Sequence, residues 1–269
     1  GYMRRLLGEK PDRPICHPYT PIESPKVFSF PLKTKVAHIT GGLGCPNGCD
    51  FCCTSHYFNR RYIPFIQSGR ELYETMHMME RRAIEVGDSL SGFIFIDEDF
   101  FIHEKRARKF LDCVREGGVS PSIMGFGSVR GLSQFTATEI AEMGFDIIWT
   151  AFEGTHSGYK KLRGAKLDDL YSGLKSRGVA ILTSMIIGFP YQDQKRIQAE
   201  FKQLMDLAPD LWQILIYFAF PGTPLHKKVL EEGRYLSAYR DQPDYRRFDG
   251  FSMHFKHPHF KPEEIEDLQ

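Results

Sequence analysis

The chain has 269 residues, of which 42% are hydrophobic and 26% charged; this excludes a disordered polymer and is enough for a substantial core. Lys and Arg number 35 against 34 Asp and Glu, a net charge of +1, so no overall field steers the molecule toward nucleic acid or an anionic membrane. No apolar run reaches the ~20 residues of a membrane span, and the two strongest, 179–190 and 211–221, both end at proline.

Residues 1–34 carry Pro11, Pro14, Pro18, Pro21, Pro25 and Pro31 and read as a linker or surface arm. The opening residues turn charged at Glu9 and Lys10, unlike a secretory signal, and a cytoplasmic location is expected. Residues 35–235 then alternate apolar runs with amphipathic stretches. A strand over 36–40 leads to a helix at about 69–86 with Leu72, Met76, Met79 and Ala83 on one face. A second strand, 93–96, precedes a helix at about 104–116. The third, 122–126, precedes a short helix opening at Thr136 with Glu139 behind it. The fourth, 147–152, is followed by a helix at about 167–177 ending at Arg177-Gly178. The fifth, 179–187, precedes a helix over about 193–207, and the sixth, 212–218, a helix over 224–232. Residues 236–269 form a C-terminal extension. Its last helix opens at Pro262 and stops at Gln269 without a terminating signal, and Gly1 is no natural start, so both ends read as cut from a longer protein.

Six strand–helix units imply parallel strands with helical crossovers, and near-continuously apolar strands suggest that both faces are covered. A doubly wound sheet and a six-unit partial barrel both fit, and either places the site at the C-terminal ends of the strands.

Four of the six cysteines lie within Cys45 to Cys53, immediately after the first strand. Such clustering in a chain without an export signal reads as a metal or redox site, not a disulfide scaffold. Cys45, Cys49 and Cys52 are spaced CxxxCxxC, and Gly48 lets the loop bend, so three thiolates can meet one iron–sulfur cube and leave its fourth iron open. A zinc site would call for a fourth ligand from Cys53 or His56, and a simple electron-transfer cluster for a fourth cysteine; both remain alternatives.

Cys45-x-x-x-Cys49-Asp50-Phe51-Cys52 resembles the signature of the radical SAM superfamily, in the position after the first strand of a (β/α)6 partial TIM-like barrel. The resemblance spans roughly 35–235. It implies a [4Fe–4S] cluster on Cys45, Cys49 and Cys52 that chelates S-adenosylmethionine (SAM) and cleaves it reductively to a 5′-deoxyadenosyl radical. It further implies that Phe51 lies near the adenine, and that one of Asp97, Glu98 and Asp99 receives the SAM amino group, although the family's glycines are absent there. Glu153 corresponds to a ribose-contacting acid. Ser128, Arg130 and Arg163 correspond to groups that hold the ribose or the SAM carboxylate. Ser184, Ile187 and Gly188 correspond to the adenine-packing motif of the fifth strand, with Ser184 in place of its first glycine.

Plainer roles stand beside these. Asp97 and Asp99 can be helix caps, Arg130 and Arg163 solvated surface groups, and Phe189 and Phe220 packing residues. Cys16 and Cys113 read as inert thiols, Cys53 as a small buried residue or a redox thiol, and the histidines of 254–259 as a loop face.

The arm 1–34, the run Asp50–Phe58 and the turn Pro221-Gly222-Thr223-Pro224 resemble the branch that carries a cobalamin-binding domain, which residues 1–34 are too short to contain. That branch implies cobalamin-dependent methylation of carbon in a small-molecule or lipid-like substrate, with electrons from a flavodoxin or ferredoxin. A cobalamin-free relative, methylthiotransferase-like or dehydrogenating, and a non-catalytic zinc or iron–sulfur module are the alternatives. Nucleic acid is disfavoured as a substrate, save for local basic pairs such as Arg60-Arg61 and Arg246-Arg247.

Overall fold

The computed structural model describes residues 35–154, 156–240 and 248–269, and the backbone of 21–22, 26–27 and 30–31. Most of the proline-rich arm, with Cys16, and the pair Arg246-Arg247 lie outside the described residues.

Six parallel strands form one sheet: β1 (Lys35–Ile39), β2 (Leu90–Phe95), β3 (Ile123–Phe126), β4 (Phe145–Glu153), β5 (Ala180–Ile187) and β6 (Leu211–Ile216). Their spatial order is the chain order, with no reversal. This resolves the two arrangements left open by the sequence. A doubly wound sheet reverses its order at a switch point, whereas successive right-handed crossovers in one direction put every helix on one face and curl the sheet into a partial barrel. The outer edge of β1 pairs antiparallel with Pro21–Ile22, so part of the arm is an edge strand.

The helices follow the sequence signals closely. Helix α1 (Cys53–Tyr57) ends the thiol loop. Helix α2 (Gly69–Glu85) buries Leu72, Met76, Met79 and Ala83, and Ser68 caps it by accepting from the Glu71 amide. Helix α3 (Glu104–Gly117) packs on α2, and the short α4 (Val129–Leu132) follows β3. Helix α5 (Ala137–Glu142) opens with the Thr136/Glu139 capping box. Helix α6 (Leu167–Ser176), α7 (Gln194–Asp206) and α8 (Pro224–Glu231) cover β4 to β6, followed by α9 (Ser237–Arg240) and α10 (Pro262–Leu268).

The core lies between the sheet's outer face and the helices. Phe93, Phe95, Ile123, Ile148 and Ile181 are buried there beside α2, α3, α5 and α6. The opposite face differs from the expectation of two covered faces. Ile94, Met124, Ile147 and Leu182 are only half-buried, because six strands do not close the barrel and its lumen is not packed as in an eight-stranded one. The C-terminal segment joins a second core: Met253, Phe255 and Ile265 are fully buried with Ile187, Phe189 and Tyr217. His254 is fully buried rather than on a loop face, packed against Phe218, Tyr239 and Phe248. Among the described residues no helix is long and apolar enough to cross a membrane.

Candidate functional site

The thiol loop leaves β1 through Gly41 to Gly44 and turns at Gly48. Gly44 has φ +92°, and a Cβ there would stand 2.1 Å from the Arg61 carbonyl oxygen, so only glycine fits. The loop closes on itself: the Cys52 amide donates to the Cys49 carbonyl at 3.1 Å, the Gly48 amide to Ser55 Oγ at 3.3 Å, and His56 Nε2 bonds the Cys49 carbonyl at 3.0 Å. Cys45, Cys49 and Cys52 are free thiols lining one cavity of about 210 Å³ at the C-terminal ends of the strands. Burial, reinforced by Glu153 and the other thiols against a lowering by Lys161, pushes Cys49 up to about 12, and burial also raises Cys45. An apolar mouth disfavours bare thiolates, so a metal that takes these sulfurs must displace their protons. Among the described residues no three His, Cys, Asp or Glu side chains converge tightly enough to hold a single ion.

Of the acids after β2, two reach the cavity. Asp97 is turned away: it is buried in an ion pair with Arg106 at 2.9 Å and accepts from Tyr62 at 2.6 Å, so it is neither a cap nor a lining group. Asp99 lines the cavity with both oxygens engaged, one by the Ser128 amide at 3.1 Å, the other by Asn47 Nδ2 at 3.0 Å. Burial first, moderated by these donors, raises its carboxyl above the usual range. Glu98 stands exposed at the rim. Ser128 borders the cavity while its hydroxyl caps α4 through the Gly131 amide at 3.0 Å.

Glu153 ends β4 beside a bulge, where the pairing of β4 with β5 shifts register. Its φ of +60° is rare for a side chain with a Cβ and costs about 1–2 kcal/mol, and it aims a buried carboxylate into the cavity. One oxygen pairs with Lys161, whose side chain is only 18% exposed. Burial opposes the Lys161 charge, but Glu153 and the neighbouring Cys49 outweigh it and hold the ammonium above its ordinary value. The same ammonium lies 5.7 Å from the centre of the Phe51 ring.

Lys161 is the residue that the sequence reading missed. Arg163, two positions on, and Arg130 are both exposed and do not line the cavity. Phe51 and Ser184 do line it, and Ser184 Oγ accepts from Trp149 Nε1 at 2.6 Å. Ile187 points outward toward α7, and Ile186 takes its place in the lining; Gly188, φ +89°, packs under Ile265 and Met253. Phe189 and Phe220 pack against other rings, as their plainer reading holds, Cys113 is buried on α3, and Cys53 is half-buried at the start of α1.

The opposite wall is apolar: Phe126 stacks on Trp149 at 5.3 Å, beside Ile186 and Leu215. Three buried oxygens around the cavity have no hydrogen-bond partner among the described residues: Asn47 Oδ1, Thr150 Oγ1 and Glu153 Oε2. Buried polar groups are rarely left unpaired, so these mark a place built for a polar occupant.

No family model matches the chain. It is 23% identical over 273 residues to an uncharacterized methyltransferase of Pyrococcus horikoshii, covering 97% of this chain and 57% of that protein. It is 22% identical over 247 residues to a bacteriochlorophyllide d C-12(1)-methyltransferase of Chlorobaculum tepidum, covering 87% and 51%. The chain thus spans little more than half the length of these relatives. Among solved structures, the radical S-adenosylmethionine methyltransferase TsrM of Kitasatospora setae, with cobalamin and a [4Fe–4S] cluster bound, superposes with TM-score 0.59 at 15% identity, over 73% of this chain and 39% of that one. The chain shares its fold with this radical SAM methyltransferase. The resemblance read from the thiol spacing is therefore borne out at the level of architecture.

Proposed function

We propose that the chain is the catalytic barrel of a radical SAM enzyme that transfers a methyl group to carbon. The observation that carries this reading is the convergence of three thiols and three unpaired buried oxygens on one cavity at the strand ends. The donor set fits a [4Fe–4S] cluster with one open iron: three cysteine sulfurs, no fourth cysteine in the lining, and polar groups ready for a zwitterionic ligand. Bound there, the cluster and SAM would supply one-electron and methyl-donor chemistry.

The protein's own groups divide the work of holding SAM. Lys161, fixed by Glu153, offers the cation for the SAM carboxylate, in place of Arg163 and Arg130. Glu98, exposed at the rim, is the acid free to swing toward the SAM ammonium, while Asp99 is held by one bond on each oxygen. Asp99 instead clamps the thiol loop to the end of β3. Thr150 Oγ1 and Glu153 Oε2 suit ribose hydroxyls. The wall of Phe126, Trp149, Ile186 and Leu215 excludes water and suits apolar matter, whether adenine or a small-molecule or lipid-like substrate. Cobalamin as methyl carrier is supported by the fold neighbour, in which it is bound. A flavodoxin- or ferredoxin-type donor is the partner this chemistry asks for.

The test is anaerobic reconstitution with iron and sulfide, followed by electron paramagnetic resonance with and without SAM. A [4Fe–4S]⁺ signal that SAM perturbs is expected. Zinc in protein prepared without oxygen, with no cluster formed, would overturn the reading.

A further inference from the structure

We propose that Asp50, inside the thiol loop, is a positioning residue that sets the place of Lys161. The inference rests on the proposed function and adds a residue whose side chain faces away from the cavity lining.

Lys161 sits on a single 3-10 turn, Lys160–Leu162, outside the α-helices and strands of the barrel. The turn packs on α4, and Leu162 on the core, while its entry is held by Tyr159, the residue that opens it. The Tyr159 hydroxyl donates to Asp50 Oδ1 at 2.5 Å, across 109 positions of sequence. The Tyr217 hydroxyl, just beyond β6, donates to Asp50 Oδ2 at 2.9 Å. The Asp50 carbonyl accepts from the Leu225 amide of α8 at 3.1 Å. Burial first raises both tyrosines well above their ordinary values, joined by Tyr217 and Asp50 at Tyr159 and by Asp50 at Tyr217, where Tyr159 pulls the other way, so both remain donors. The next residue, Phe51, meets the same two rings edge-on, at 5.5 and 5.8 Å, and carries the Lys161 ammonium over its face.

One carboxylate therefore joins three segments that the chain keeps far apart: the thiol loop, the turn after β4 and the end of β6. It fixes the distance between the cysteine sulfurs and the Lys161 charge. Charge-assisted hydrogen bonds are short and directional, which suits them to fix the entry of a turn whose far side rests on α4 through Leu162.

The variants Asp50→Asn, Tyr159→Phe and Tyr217→Phe, with Lys161→Met, test this. Tyr159→Phe loses a single hydroxyl and serves if Asp50→Asn does not fold. After reconstitution, iron and sulfide content should match the wild type in all four, because the cysteines are untouched. Asp50→Asn and Tyr159→Phe should weaken SAM binding about tenfold, the size of one displaced contact. Tyr217→Phe, which loses the bond from Asp50 to the end of β6 but keeps the one to the turn, should weaken SAM binding less than Tyr159→Phe. Adding Tyr159→Phe to Lys161→Met should cost no further affinity, since both act on the same contact. In cluster-free protein, amide exchange across Lys160–Leu162 should rise in Tyr159→Phe and not in Tyr217→Phe.

If Asp50→Asn and Tyr159→Phe bind SAM as tightly as the wild type, Asp50 has no positioning role. If the wild type carries a full cluster and ignores SAM, the proposed function fails, and the exchange measurement still decides whether Asp50 orders the turn.

Discussion

Two regions face each other across the cavity and are built in opposite ways. The thiol loop is local: within a few residues it bends at Gly44 and Gly48 and closes on its own backbone. The segment from Glu153 to Lys161 is set from a distance. A bulge against β5 rotates Glu153 inward, and contacts with the thiol loop anchor Tyr159. The difference teaches where each kind of chemistry can be read. A ligand spacing on a self-contained loop is visible in a linear motif, whereas a buried cation that depends on a bulge and a remote carboxylate is not.

The comparison breaks most completely at the cysteines. Alanine at Cys45, Cys49 or Cys52 should abolish cluster binding, measured as iron and sulfide per chain, while Cys53→Ala should retain both. A cluster lost from Cys53→Ala and kept in one of the three would reassign the ligands.

The ion pair of the opposite wall comes next. Lys161→Met leaves Glu153 buried without its cation and should cost about 3 kcal/mol in denaturant unfolding of the cluster-free protein. Adding Glu153→Gln should recover most of that loss. A double variant as unstable as the single one would show that packing, not charge, dominates there.

Gly44→Ala tests the local side. A left-handed backbone and a clash with the Arg61 carbonyl should together cost roughly 2 kcal/mol and loosen the thiol loop. A melting temperature equal to that of the wild type would mean that the loop relaxes without strain.

A further effect is a pH dependence away from the cavity. Burial, and then the Arg106 guanidinium, lower His103 from 6.5 to about 4; its ring stacks on Tyr62 at 3.9 Å. Between those values the unfolded chain binds a proton that the folded one refuses. Stability from this group is therefore full above about pH 6.5 and declines as pH falls toward 4. His103→Gln should flatten that part of the curve, and an unchanged slope would assign it to other groups.

Much of the molecule was legible in the sequence. The buried stripe of α2, the capping box at Thr136 and the glycine after α6 all lie where local signals put them, since each is decided within one or two turns. The thiol spacing and its place after β1 belong to the same class. The acids after β2 were not separable. Asp97, Glu98 and Asp99 are consecutive, and only the folded strand end sends one to Arg106, one to the rim and one to Ser128 and Asn47. A guanidinium fork suits a carboxylate, which makes Arg163 a candidate in the sequence, yet the three-residue turn points Lys161 inward and leaves the arginine in solvent.

By itself, then, the sequence determined the element order, the thiol motif and the end of the barrel at which chemistry would gather. These follow from side-chain periodicity, capping and loop length, which act over a handful of residues. Tertiary structure alone decided that the barrel stays open, that Lys161 faces Glu153 and that Asp50 joins Tyr159 to Tyr217. Those depend on strand order, on a register shift and on hydrogen bonds spanning more than a hundred positions, and no local propensity encodes them.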